Sequence, residues 1–150
     1  MEMRLPQDFR EFLQLINSNQ VEYLLVGGYA VAHYGYPRAT GDIDIWVAAN
    51  PENESRLARA LVAFGFSAST VSADFALREN QIIRMGLPPV RIDLLTTVSG
   101  RSFTDCYSRS EVRILDGVEV RIISLADLRA NKQAAGRLKD LNDLENLPKC

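Results

Sequence analysis

Histidine and cysteine are scarce in this chain. There is one histidine, His33, and two cysteines, Cys106 and Cys150, in 150 residues. Two cysteines far apart and without a partner motif make no disulfide framework and read as reduced thiols of a cytosolic protein. A lone histidine in a short helical stretch is more often structural than catalytic, so His33 receives no catalytic role. Charge of one sign is also lacking. The formal net charge is −2, which argues against a globally basic nucleic-acid binder but leaves room for a local basic patch. The opening Met1-Glu2-Met3-Arg4-Leu5-Pro6 has no apolar signal core, and no run is long enough to span a bilayer. The expectation is therefore a cytoplasmic protein with no membrane partner. Repeats and low-complexity linkers are missing too. Hydrophobic residues at 47% and charged residues at 24% are ordinary for a globular chain, and the length suits one domain with a proper core.

What is present centres on Val26–Ile45, V-G-G-Y-A-V-A-H-Y-G-Y-P-R-A-T-G-D-I-D-I. Asp42 and Asp44 alternate with Ile43 and Ile45, and Trp46 and Val47 continue the run. That pattern predicts a strand whose two carboxylates project from one face while the isoleucines pack behind it. Aspartate is depleted in strands, and like charges so close repel. A divalent cation is the obvious compensator, although an exposed Asp-x-Asp can also be only a solvated face. Upstream, the apolar run Val21–Val26 ends at Gly27-Gly28, and Tyr29–Tyr34 suits a short helix. Two glycines at such a turn let a ligand approach the backbone, and the helix start favours an anion.

The remaining elements follow from pattern. Asp8–Asn17 places Phe9, Phe12, Leu13 and Ile16 at helical spacing. Asn50 is a good N-cap with Pro51 at the first helical position. Leu57, Leu61 and Phe64 form a stripe, and Gly65 is a stop. This helix is expected to cross over and lay the next strand alongside. Phe66–Ala76 carries no clear pattern. Gln81–Met85 and Val90–Leu95 read as strands joined at Gly86-Leu87-Pro88-Pro89. In the second, Asp93 lies opposite the apolar row Val90, Ile92 and Leu94. An ordinary edge-strand charge is the bland alternative, and Asp74 and Glu79 are competing carboxylates in less clear surroundings. Arg101–Arg109 suits a short helix or a loop. Val112–Leu115 and Val118–Ile123 flank Asp116-Gly117 as a hairpin. Ser124–Leu147 is helical, opens on a capping-box-like Ser124…Asp127, and is divided or kinked at Gly136.

Gly27-Gly28, a short helix, and then Asp42-Ile43-Asp44 resemble the signature of the DNA polymerase beta superfamily of nucleotidyltransferases. There a Gly-Gly or Gly-Ser turn precedes an Asp-x-Asp or Asp-x-Glu strand. The words Pro37-Arg38-Ala39-Thr40-Gly41 look like the AbiEii-type toxin branch and its uncharacterised relatives. The block Lys132–Asp143, K-Q-A-A-G-R-L-K-D-L-N-D, resembles the C-terminal block of that branch, though a solvated basic face is the plain alternative.

The resemblance implies an α/β (α+β) fold: a mixed central sheet flanked by helices, with a C-terminal helical segment. It implies a single domain over 1–150, with a core over about 21–96 and a hairpin and C-terminal helices over 111–147. The implied activity moves NMP from an NTP to a hydroxyl acceptor (RNA such as tRNA, a protein or a small molecule), releases pyrophosphate, and needs two Mg²⁺ or Mn²⁺ ions. Asp42 and Asp44 would share the ions, and Asp93 would be the third ligand, on the acceptor side. Gly27, Gly28, Arg38, Thr40, Lys132 and Arg137 would bind the nucleotide, with Lys132 on the triphosphate end; Asp140 is a weaker candidate. Arg38 has a second reading as a carboxylate's ion-pair partner. The chain is short for the toxin branch, so a homodimer or an antitoxin partner would supply what the acceptor needs. A catalytically silent nucleotide-binding module and a toxin–antitoxin interaction component are the alternatives. A Rossmann-type site is disfavoured, because Gly27-Gly28-Tyr29-Ala30 lacks the spaced third glycine.

Overall fold

The computed structural model describes residues 4–37, 41–69, 71, 76–87 and 90–149. The first helix, α1 (Gln7–Ser18), buries Phe9, Phe12, Leu13 and Ile16, the stripe its sequence periodicity demands. β1 (Tyr23–Val26) is buried along its whole length and turns directly into α2 (Gly27–His33). The helix thus starts on the glycines themselves, two residues before the expected Tyr29. Gly27 makes this possible with φ 69°, a left-handed backbone that other residues enter only at a cost. β2 (Asp42–Val47) follows. Then comes α3 (Pro51–Phe64), where the Asn50 side chain accepts from the Asn53 amide and Gly65 closes the helix.

β3 (Ile82–Leu87) and β4 (Val90–Leu95) form an antiparallel pair. After the short α4 (Phe103–Ser108), a hairpin of β5 (Glu111–Leu115) and β6 (Val118–Ile122) turns at Asp116-Gly117. Both turn residues have positive φ, 49° and 80°, the geometry that matches strand twist in a two-residue loop. The C-terminal segment divides at Gly136 into α5 (Leu125–Ala135) and α6 (Leu138–Asn146). Ser124 caps α5 through the Asp127 amide.

The strands make one mixed six-stranded sheet in the order β3-β4-β2-β1-β6-β5. β2 runs antiparallel to β1 and parallel to β4, and β6 joins β1 in parallel. One expectation is corrected here. The strand that follows α3 in the chain does not lie beside β2. β3 takes the edge, and β4 inserts next to β2. The interior position buries Ile92 and Leu94 of β4, 3% and 1% exposed, and the edge leaves Ile82 and Leu87 of β3 54% and 81% exposed. β3 also carries Gly86, at φ 80°, a residue that weakens a strand interior.

α1 and α3 pack together, with Phe12 edge-on to Phe64 at 5.3 Å between ring centroids. Buried Asn53 clasps α3 to the sheet. Its amide donates to the Glu22 and Ala48 carbonyls, and its oxygen accepts from the Glu22 amide. On the face that carries Asp42 and Asp44, Trp46 stacks edge-on against Phe103 and donates to the Thr96 carbonyl. This closes one end of that face with apolar bulk. No helix among the described residues is long and apolar enough to cross a membrane.

Candidate active site

Strand register brings the carboxylates together. Asp44 of β2 stands opposite Asp93 of β4, and Asp42 stands opposite Arg91. Arg84 of β3 stands opposite Asp93 on the other side. Paired residues on neighbouring strands point to the same face, so one face carries two rows of charge, Arg84–Asp93–Asp44 and Arg91–Asp42. The parallel β2–β4 pairing is what aligns two acids that lie 49 positions apart in the sequence.

Gly27 fits against Asp44. A β-carbon built on residue 27 would overlap Oδ2 of Asp44 and lie 2.9 Å from its Cβ and Cγ. The Asp44 carboxylate therefore lies directly on the β1–α2 turn, against a position only glycine can fill. A cleft of about 540 Å³ opens beside this contact. Gly27, Gly28, Asp42 and Asp44 line one side, and Lys132, Arg137 and Lys139 line the other. Leu95, Val98 and Ile82 add an apolar section, with Thr97, Ser99 and Asn131 beside it.

The electrostatics are uneven. Asp44 is pushed up to about 6, first by burial, then by the negative charges of Asp93 and Asp42; Lys139 and Lys132 offset part of this. No hydrogen bond or ion pair reaches its carboxylate from the described residues. Asp93 is different. Only 6% exposed, it lies 3.2 Å from Arg91 Nε and 3.9 Å from Arg84 Nε. Asp42 accepts from Arg91 Nη2 at 2.8 Å.

The basic wall is more tightly built than a solvated face. Lys132 is 4% exposed, and its ammonium lies 3.0 Å from Asp143 and 3.3 Å from Asp140. Arg137 Nε donates to the second Asp140 oxygen at 2.7 Å. Burial disfavours the Asp140 charge, but the Arg137 hydrogen bonds and the Lys132 charge outweigh it and hold the carboxyl below its usual range. Lys132 and Arg137 thus line the cleft, but both are engaged with Asp140, which fastens α6 to α5. The plain reading of Lys132 as a solvated lysine is corrected. Cleft residues that the sequence does not single out include Lys139, exposed on the same wall, Asn131 and Thr97. Arg91 was legible only as an alternating charge on a strand. Arg38, Thr40, Asp74 and Pro88-Pro89 lie outside the described residues. Glu79 is exposed and lines no part of the cleft. His33 lies half-buried, and burial, with the Arg113 charge, lowers its pKa.

The donor chemistry fits divalent metal: three carboxylates on one face are hard oxygen ligands of the kind Mg²⁺ and Mn²⁺ take. Half-buried Asp44, raised first by burial and then by the charges of Asp93 and Asp42, is a carboxylate whose charge a cation would relieve. Among the described residues no three acidic, histidine or cysteine side chains converge to hold an ion; Arg91 stands between Asp42 and Asp93 instead.

This mixed sheet with its flanking helices is a nucleotidyltransferase-type α/β fold. It is similar to a crystal structure from Thermotoga maritima named as a candidate nucleotidyltransferase, with a TM-score of 0.57 and 13% identity over 91% of this chain and 88% of that one. The sequence matches the aminoglycoside-2''-adenylyltransferase family over residues 8–147, and the chain belongs to that family. A search of curated proteins finds no match. The nucleotidyltransferase class expected from Gly27-Gly28 and Asp42-Ile43-Asp44 is thereby shown, while the AbiEii-type branch is not what this match shows.

Proposed function

We propose that the protein transfers a nucleoside monophosphate, AMP in the first instance, from an NTP to a hydroxyl of an amino-sugar acceptor of the aminoglycoside kind. The observation that carries this reading is the alignment of Asp42, Asp44 and Asp93 on one sheet face beside the Gly27-Gly28 turn. The family name supports the adenylyl group and the acceptor class. An RNA or protein acceptor, a toxin role and a silent nucleotide-binding module have no comparable support.

Each residue's task follows from its position. Asp42, Asp44 and Asp93 would hold Mg²⁺ or Mn²⁺, which when bound stabilises the charge on the attacking and leaving oxygens. The ionised Asp44 is needed as a ligand, and its pKa near 6 leaves it mostly ionised at neutral pH. The Gly27-Gly28 backbone offers close approach to phosphate oxygens without a side chain in the way. Lys139 and Arg137 present charge to the triphosphate from the opposite wall. Lys132, held by Asp140 and Asp143, keeps that wall in place and adds positive potential. The apolar section at Leu95 and Val98 suits a base or sugar face, with Thr97 and Asn131 as hydrogen-bonding groups.

The test is a transfer assay. Each of the four NTPs, labelled at the α-phosphate, is incubated with Mg²⁺ and, separately, an aminoglycoside panel, total RNA and protein. Label is expected on the small molecule, with ATP preferred and with loss of transfer in Asp44→Asn. Label on RNA or protein instead would replace the acceptor assignment. Transfer that survives in Asp44→Asn would end the site assignment.

A further inference from the structure

Arg91 has no part in the scheme above, yet its guanidinium occupies the centre of the acidic face. Nη2 donates to Asp42 Oδ2 at 2.8 Å and to Asp93 Oδ2 at 3.4 Å. Nε lies 3.2 Å from Asp93 Oδ1, but both atoms are buried and neither has a hydrogen-bond partner among the described residues. The Nε–Oδ1 contact is therefore attraction of charge at poor alignment, with hydrogen-bonding capacity left unspent on both atoms. Arg91 is on the neighbouring strand, in register with Asp42. Its side chain is 27% exposed and carries an always-charged head on a flexible stem, so a change of rotamer can move that head toward solvent.

We propose that Arg91 is the resident counter-ion of the carboxylate face and is exchanged for the divalent cation on loading. Guanidinium and metal compete for the same oxygens of Asp42 and Asp93. Without metal, three carboxylates on adjacent strands would repel; Arg91 pairs with two of them and leaves Asp44, which has no cation in contact among the described residues, to bear the mutual repulsion. With metal, hard oxygens that bond poorly to Nε become ligands of a cation with a stronger claim on them. Arg91 thereby lowers apparent metal affinity and makes the loaded state depend on metal that arrives with nucleotide phosphates. The same residue keeps the empty face folded.

This inference rests on the metal-site reading of the three aspartates, and the experiment separates the two. Mn²⁺ alone is titrated by calorimetry into wild type, Arg91→Met, Arg91→Lys and Asp44→Asn, and each is also melted with and without Mn²⁺. Arg91→Met is expected to bind Mn²⁺ about tenfold tighter or more, the worth of one hydrogen bond to a charged group. It should also melt lower than wild type without metal, and gain more from Mn²⁺. Arg91→Lys, a point charge without the planar fork of the guanidinium, should fall between and serves if the Met variant does not fold. Unchanged or weaker Mn²⁺ binding in the Arg91 variants, with Asp44→Asn still abolishing it, overturns the exchange and leaves the metal site standing. Mn²⁺ binding equal in all four proteins overturns the metal site and the exchange with it.

Discussion

Gly27 and Asp44 occupy one space: the carboxylate of Asp44 fills the volume where a side chain on residue 27 would begin. A strand end and a helix start are thereby joined through an acid and a missing β-carbon. The contact explains why the Gly-Gly turn and the Asp-x-Asp strand go together in this chain. Antiparallel pairing sets Val26 opposite Asp44, so the next residue, Gly27, has to let the carboxylate pass.

Gly27→Ala should therefore disable the site and weaken the fold together. The left-handed backbone alone costs about 1–2 kcal/mol for a residue with a β-carbon. Displacing Asp44 should lower transfer by about a hundredfold, the order expected for a misplacement near 1 Å. Urea denaturation and single-turnover transfer measure the two effects. Wild-type turnover in Gly27→Ala would mean that Asp44 need not sit where it does.

Asp44 should make stability depend on pH with a definite sign. Its folded pKa, about 6, is above the ordinary aspartate value of 3.8, so the folded state binds the proton more tightly than the unfolded one. The associated stability is fully present below about pH 4 and is lost as pH rises through about 6. In metal-free buffer, Asp44→Asn should be more stable than wild type at pH 7.5, by about 1–3 kcal/mol, and the gap should close at pH 4. Transfer by wild type should rise through the same window, since a metal ligand must be deprotonated. A stability gap that is the same at both pH values would contradict the assignment.

Lys132 and Lys139 should separate stability from binding. Lys132→Met leaves Asp140 and Asp143 buried without their ammonium, and breaking such a group costs about 3–5 kcal/mol. Lys139 is exposed, so Lys139→Met should change stability by less than about 0.5 kcal/mol. It should nevertheless weaken NTP binding more than NMP binding. Chemical denaturation of both variants, with calorimetry of ATP and AMP binding, decides the matter. A Lys139→Met variant that binds ATP as wild type does would leave the triphosphate to Arg137 and the glycine turn.

Asn53 should matter to the fold and not to the chemistry. Its side chain makes three hydrogen bonds that join the start of α3 to the β1–β2 strand ends. Asn53→Leu should cost about 2–4 kcal/mol, from lost bonds and from buried carbonyl and amide groups left unpaired. The KM for ATP should not move. A change in KM without a change in stability would show that α3 reports to the site in some other way.

Local pattern alone determined most of the elements. Alternation of Asp42, Ile43, Asp44 and Ile45 defines a strand with an acidic face, because side chains alternate on any strand whatever its partner. The stripe at Phe9, Phe12, Leu13 and Ile16, the cap at Asn50-Pro51, the Asp116-Gly117 hairpin and the break at Gly136 are likewise written in residues close in sequence. The Gly-Gly and Asp-x-Asp pair was enough to place the chain with the nucleotidyltransferases. Tertiary structure decided what depends on partners far along the chain. Sheet order is one such matter: β4, not β3, sits beside β2, which buries Ile92 and Leu94 and leaves Ile82 and Leu87 exposed at the edge. Arg91 is another. On its own strand it is an alternating charge two residues from Asp93, and only the parallel β2–β4 register sets it against Asp42. Lys132 is the third: its sequence block points to a phosphate contact, and only the folding back of α6 shows Asp140 and Asp143 enclosing the ammonium. Register and burial are properties of the packed sheet, and a charge has its pKa, its partner and its role only once they are set.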